Sequence, residues 1–340
     1  MFVTNTSTGF ERFWHPVAQS GEVTDTPHQV WLLGEPWAVV RRPDGTVMAA
    51  RDRCPHRFAP LSAGTLGGPC ADEWQCGYHG WRFSDEGQCT AIPALGPDAT
   101  LPPRARIGTA WAVAERAGIV WLAPVAPLAE LAQMNELVGP HLRIGGLRPA
   151  SAEVGAGPMI DNFCDIAHFP FLHAATFGGD EPAVVDGLEV TEDDWGATCV
   201  GEHDFANRED PGVALGERPI IQRRLMTFRY YAPFTATLRL EHLSTGLVTV
   251  LLFAVQPETD DRCRLYTVLA RGGREDLVPD DAGMADAIAF EQAVLDEDLA
   301  LQTRLPRSLP TDPTLELHTR ADRFALALRR ILARCLEVAP

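Results

Sequence analysis

The 340-residue chain has no long apolar run. The longest, near Leu247 to Val255, falls well short of the ~20 residues that a membrane helix needs. No membrane partner is expected. The N-terminus, Met-Phe-Val-Thr-Asn-Thr, has no basic region leading into an apolar stretch, so no secretory leader is expected. Basic residues are scarce beside acidic ones: 29 Lys and Arg against 46 Asp and Glu, a formal net charge of −17. That balance argues against nucleic acid as a partner. Internal repeats and low-complexity segments are missing. So is a Gly-rich dinucleotide fingerprint after a strand, so any electrons the protein uses are expected from a separate reductase. Six of the eight cysteines follow no regular spacing, and a chain this long needs no disulfide staples. A reducing cytoplasm fits these absences.

What is present is concentrated in a few short motifs. Cys54-Pro55-His56 and Cys76-Gly77-Tyr78-His79-Gly80-Trp81 each offer one thiolate and one imidazole. Two such pairs can hold one iron by two sulfurs and a second by two nitrogens, the ligand set of a Rieske [2Fe–2S] cluster. A Cys2His2 zinc site is the rival reading, but zinc sites usually keep like ligands together.

The second constellation runs from Asp161 to His173. Asn162, Asp165 and His168 are spaced three apart, which on a helix puts them on one face. His173 would lie about 140° from His168 on an unbroken helix. Pro170 between them disturbs the turn and lets both imidazoles converge on one ion. Two His and a carboxylate, with coordination positions left open, form the facial triad of a non-haem Fe(II) oxygenase. The carboxylate must come from elsewhere. Met284 to Leu305 reads as a helix rich in acids. At 100° per residue Asp298 shares a line with Ala287, Val294, Leu295, Leu301 and Leu305, facing the core. Glu291 shares that inward line and is the rival, while Asp296 faces away.

Residues 13–124 read as a β-rich unit of short strands with Gly/Pro turns, carrying the Cys/His loops. Pro124 to Leu137 reads as a linker with a short helix. Residues 125–340 then form a second unit. It holds the His motif, a polar segment from Asp180 to Glu217, and four strands: Ile220–Tyr231, Thr235–Leu243, Leu247–Gln256 and Cys263–Ala270. Pro257-Glu258-Thr259-Asp260-Asp261 reads as the hairpin turn between the last two. The closing helix, Asp322 to Glu337, turns Phe324, Leu328, Ile331, Leu332 and Cys335 to one side. Arg323, Arg329, Arg330 and Arg334 are expected on its solvated flank.

Cys-x-His followed by Cys-x-x-His-Gly-Trp, then Asn-x-x-Asp-x-x-His-x4-His, resembles the oxygenase component of the Rieske non-haem iron oxygenases. Length and both ends, Phe13-Trp14-His15-Pro16 and Arg329-Arg330-Ile331-Leu332, are most similar to the vanillate O-demethylase and dicamba monooxygenase branch. The resemblance implies an α+β protein: an all-β Rieske domain, then a catalytic domain with a curved antiparallel sheet covered by helices. It implies Cys54, His56, Cys76 and His79 as ligands of the [2Fe–2S] cluster. Mononuclear Fe(II) is implied on His168, His173 and Asp298, since Glu297-Asp298 followed by Leu-x-Leu-Gln resembles the family's ligand helix. Asp165 is implied as the link between the two metal centres, and Trp81 as a shield for the cluster. A homotrimer is implied, fed by an NAD(P)H-dependent reductase or a ferredoxin. The expected activity is hydroxylation or oxidative demethylation of a small, aromatic substrate with O2. Dihydroxylation, desaturation or cyclisation is the rival within the class, and a Rieske electron carrier the rival outside it. Substrate choice is expected to lie in 180–217, where the resemblance offers no pattern.

Overall fold

The computed structural model describes residues 1–208 and 210–338. They divide into two compact units, one of residues 11–130 with 257–260 and one of 1–10, 131–256 and 261–340.

The first unit is built from short antiparallel strands. β1 (His15–Gln19), β2 (His28–Leu32), β3 (Glu35–Arg41) and β4 (Val47–Arg51) are followed by β5 (Thr65–Gly67), β6 (Glu73–Gln75), β7 (Arg82–Phe83) and β8 (Cys89–Ala91), then by β9 (Ala112–Arg116) and β10 (Ile119–Ala123). They form three small sheets, in the orders β2-β3-β4, β5-β6-β7-β8 and β9-β10-β1. β3 shows why: its side chains alternate between two buried clusters, Trp37 and Val39 joining Val17 and Val120, while Ala38 and Val40 join Trp74 and Phe83. The second cluster contains Cys54 and Cys76. The core therefore anchors both Cys/His loops at their sulfur ends.

The second unit centres on an eight-stranded sheet. Its elements are β11 (Leu142–Gly146), β12 (Ala150–Ala152), α1 (Ala156–Phe163), α2 (Phe169–Leu172), β13 (Glu189–Glu192), β14 (Gly196–Ala206), α3 (Pro211–Ala214), β15 (Ile221–Tyr231), β16 (Thr235–His242), β17 (Val248–Thr259), β18 (Arg262–Gly272), α4 (Asp281–Gln302) and α5 (Arg323–Glu337). Neighbours run β11-β18-β17-β16-β15-β14-β13, with β12 also on β18. β17 is central, and its continuous apolar run is buried on both faces. β15 alternates instead: Gln222, Arg224, Met226, Phe228 and Tyr230 are buried, while Ile221 and Arg223 are exposed. α4 starts on an Asp280 side chain that accepts the Gly283 N–H at 2.8 Å.

Several expectations are corrected here. β17 runs through Pro257 to Thr259, and the reversal falls at Asp260-Asp261. Pro257 and Glu258 can extend because their carbonyls accept the Leu33 and Gly34 N–H groups at 2.7 and 2.9 Å. The polar segment 180–217 contains β13, all of β14 and α3, and the alternation of β14 was masked by the charged outer residues Glu202 and Asp204. Arg329 is buried: it pairs with Asp161 at 2.6 Å and Glu316 at 2.8 Å. It ties α5 to α1 and does not belong to a solvated flank.

Candidate metal centres

The two Cys/His loops share one backbone design. Phe58 N–H donates to Cys54 O and Gly80 N–H donates to Cys76 O. Cys54 N–H in turn donates to Ala59 O and Cys76 N–H to Trp81 O. Phe58 and Gly80 hold the same left-handed turn, at φ 60° and 68°. The loops approach closely because Gly64 and Gly77 lack side chains: a Cβ on Gly64 would lie 2.1 Å from Gln75 O. Both thiols are buried, whereas His56 and His79 lie nearer the surface with ring centroids 4.5 Å apart. Trp81 stacks on His56 at 4.5 Å and 8°.

These residues fit the cluster they are expected to hold. Burial, with the Cys76 thiol alongside, pushes the Cys54 thiol up to about 11, so two adjacent sulfurs in this pocket call for a metal cation to stabilise their thiolates. His56 Nδ1 is buried and has no hydrogen-bond partner in the protein, as a nitrogen reserved for a metal would be. The sulfurs lie inward and the imidazoles outward, which suits one iron in the core and one toward the surface.

The second centre forms in a break between helices. α1 ends at Phe163, and Cys164 to Ala167 is a turn. Asn162, Asp165 and His168 therefore do not share a helix face, contrary to their spacing. The Asp165 carboxylate causes the break, accepting the Ala167 and His168 N–H groups at 3.0 and 3.2 Å. α2 is a single turn with Pro170 in its first positions. His168 and His173 flank it, one at each end, and their Nε2 atoms lie 3.2 Å apart. Asp298 Oδ1, from α4, lies 3.6 Å from His168 Nε2 and 3.4 Å from His173 Nε2.

This geometry suits a cation. Each Nδ1 faces a carboxylate: His168 faces Asp165 Oδ2 at 3.0 Å and His173 faces Glu297 Oε2 at 2.7 Å. With Nδ1–H donated outward, both Nε2 atoms present lone pairs to each other and to Asp298. Ligand atoms about 2.1 Å from an ion at right angles would lie about 3 Å apart. Three converging acceptors repel unless an ion sits between them. Burial opposes charge on His173, but Asp298 and Glu297 outweigh it and raise its pKa. Asn162 Nδ2 donates to Asp298 Oδ1 at 2.8 Å, and Gln302 Nε2 donates to Asn162 Oδ1 at 2.9 Å.

Asp298 sits where the helical phase pointed it, with Ala287 and Leu295 buried on that side. Leu301 and Leu305 are exposed, because α4 ends at Gln302 and the inward line ends with it. Asp296 is exposed and paired with Gln292. Glu291 lies on the wall of a cavity and outside the converging trio. Glu297 escaped notice as a functional residue. Its signal was adjacency: it lies 100° from Asp298 on α4, close enough to reach the second imidazole.

A cavity opens beside the trio, between the sheet and α4. Phe163, Leu238, Leu251, Phe253, Val294 and Leu295 give it apolar walls, with Phe163 stacked on Phe253 at 4.6 Å. Its far end is polar, with Glu181, Arg224, Arg271 and Glu291. Asn207 and Arg208 belong to its lining too. Asp210 braces them, accepting from Gly212 N at 2.9 Å and from Gln222 Nε2 at 2.7 Å, while Gln222 Oε1 accepts from Asn207 at 3.0 Å.

Comparisons with known proteins agree with this architecture. Residues 13–107 match the Rieske [2Fe-2S] domain, and 154–338 match the vanillate O-demethylase oxygenase C-terminal domain. The chain is 28% identical to methylxanthine N3-demethylase NdmB of Pseudomonas putida over 333 residues, 95% of this chain and 88% of that protein. The structure of Pseudomonas putida NdmA with caffeine superimposes with a TM-score of 0.78 at 26% identity, covering 97% and 92% of the two chains. The oxygenase component of dicamba O-demethylase from Stenotrophomonas maltophilia is 34% identical over 167 residues, 48% of this chain and 47% of that one. An oxidoreductase that uses a [2Fe–2S] cluster and a mononuclear iron accounts for both matched domains. The chain belongs to the Rieske non-haem iron oxygenases, in the family defined by the vanillate O-demethylase oxygenase C-terminal domain.

Proposed function

We propose that this oxygenase removes a methyl group from a small aromatic or heteroaromatic compound. The observation that carries the reading is the aromatic and aliphatic cavity beside His168, His173 and Asp298. The relatives named for N- and O-demethylation support it. In this reading the first unit is the cluster domain, with Cys54, His56, Cys76 and His79 as ligands. The second unit is the catalytic domain, with His168, His173 and Asp298 as iron ligands. When bound, the mononuclear iron supplies activation of O2, using electrons received through the cluster from a partner reductase.

The chain's own groups do the rest. Phe163, Phe253 and Leu251 hold the ring by apolar burial and exclude water from the reacting methyl group. Asp165 and Glu297 fix the two imidazoles through Nδ1. Asn162 holds Asp298 in place from the side of α1. Asp165 is also the proposed link between the metal centres, since it lies against His168 on the chain's surface-reaching turn. Oxidising the methyl carbon consumes one O2, two electrons and two protons. It releases formaldehyde, the demethylated product and water. A homotrimer working in the cytoplasm completes the reading, which the family resemblance supports.

Turnover with a generic reductase, NADH and a panel of aryl methyl ethers and N-methyl heterocycles tests it. Formaldehyde formed in step with NADH oxidation is expected. A cis-diol or a desaturated product without formaldehyde would shift the reading to the rival activities. The trimer is checked by light scattering.

A further inference from the structure

The polar end of the cavity contains an arginine with spare donors. Arg224 lies on the inward face of β15, 6% exposed. Its Nη2 donates to Glu181 Oε1 at 3.0 Å, and its guanidinium packs on the Phe205 ring at 4.7 Å. Those are its partners among the described residues, and they use one edge and one face of the fork. Its Nε is buried without a hydrogen bond, as is Oε2 of its partner Glu181. Buried polar groups are ordinarily satisfied, so a cluster left open in a ligand cavity calls for a polar ligand.

The charges at this end balance. Arg224, Arg271, Glu181 and Glu291 all line the cavity, two of each sign, and both Glu181 and Glu291 act on the Arg224 charge. Arg271 and Glu291 are each already engaged. An incoming carboxylate would find no surplus positive charge to offset its desolvation. A neutral carbonyl oxygen needs only the donor.

The distance suits a small ring system. Glu291 and Asp298 are seven residues apart on α4, two turns, or about 10 Å. That leaves room for one ring or two fused rings, with a methyl group at the iron end and a polar substituent at the other.

We infer that Arg224, held by Glu181 and Phe205, anchors a carbonyl oxygen of the substrate, which is a neutral, carbonyl-bearing methylated arene or heteroarene. This rests on the demethylase reading for which end of the substrate reacts. Glu181 is the positioning residue that keeps the guanidinium in the wall.

The test uses iron-loaded, full-length protein and three matched probes: 4-methoxybenzamide, 4-methoxybenzoate and 4-methoxytoluene. Calorimetry gives binding, and formaldehyde release gives turnover. The benzamide is expected to bind about tenfold or more tighter than either analogue, as one hydrogen bond to a charged donor allows. Arg224→Lys, which keeps the charge beside Glu181 but loses the fork, should cut the benzamide-over-toluene preference about tenfold. The double variant Arg224→Met with Glu181→Gln removes both charges together and should do the same. It serves if the single variant does not fold, with iron content and the Rieske spectrum as checks. Tightest binding by the benzoate, no benzamide preference, or a preference that survives both variants overturns the anchor. Arg224-dependent benzamide binding without formaldehyde leaves the anchor standing and removes the demethylase reading. Formaldehyde without any preference does the reverse.

Discussion

Glu297 Oε2 lies 2.7 Å from His173 Nδ1 and also accepts the Thr176 hydroxyl at 3.0 Å. The imidazole is 1% exposed, so its tautomer and angle are set from this one side. Glu297→Ala should lower affinity for the mononuclear iron about 10- to 100-fold. Iron retained after dialysis against a mild chelator measures it. The Rieske absorption should not change.

Asp298→Ala should remove one iron of the three that a two-iron cluster and a single iron require. Activity should vanish while the Rieske spectrum persists. Asp296→Ala, on the exposed face, should behave as wild type. Retention of the third iron by the Asp298 variant would turn attention to Glu291.

Asp165→Asn keeps one oxygen that can still accept the Ala167 N–H and preserves the side chain's shape, so both metals should stay. Loss of the charge facing His168 Nδ1 should slow oxidation of the reduced cluster by O2 and substrate about 10- to 100-fold. Stopped-flow absorbance follows that step directly. Wild-type rates would show that Asp165 only shapes the turn.

Gly64→Ala probes the cluster loops. The new methyl would meet Gln75 O at 2.1 Å, so backbone must move. A cost of about 1–3 kcal/mol is expected from such overpacking, along with bleaching of the Rieske absorption as the two loops part. Thermal melts and visible spectra report the two effects separately.

Acid should loosen the cavity wall near Asn207. Arg218 beside Asp210 holds that carboxyl below the usual range, helped by Gln222 and the Gly212 N–H. A lowered folded pKa means the contribution is present above the ordinary carboxylate pKa, about 3.9, and lost as pH falls through the folded value. Asp210→Asn should reproduce the acid effect at neutral pH. Hydrogen exchange across 210–222 is expected to quicken in both cases.

The cluster loops were legible because cysteine and histidine at fixed offsets carry their chemistry whatever the backbone does. The inward position of Asp298 was legible because α4 is long enough for a 100° phase to accumulate. The turn at Cys164 to Ala167 was not. Asp165, read as a helix-face residue, spends its carboxylate on its own downstream amides, and such local capture competes with helix in ways that spacing does not show. Arg329 was misjudged because charge was taken as a sign of solvent, whereas Asp161 and Glu316 come from distant chain. Arg224 was hidden for a similar reason. It stands between exposed Arg223 and Leu225, and the inward phase of β15 is plain only once its register with β16 is known.

The proposed mononuclear ligands come from the two ends of a one-turn segment and from a helix more than a hundred positions further along the chain. An ion held by both is a cross-link as well as a reagent. It closes a loop of about 125 residues, and closing so long a loop restricts the unfolded chain strongly. Any condition that strips this metal, whether chelation or oxidative damage at its ligands, should free α4 from α2. A cell's proteases would then distinguish the spent enzyme from the working one by its looseness.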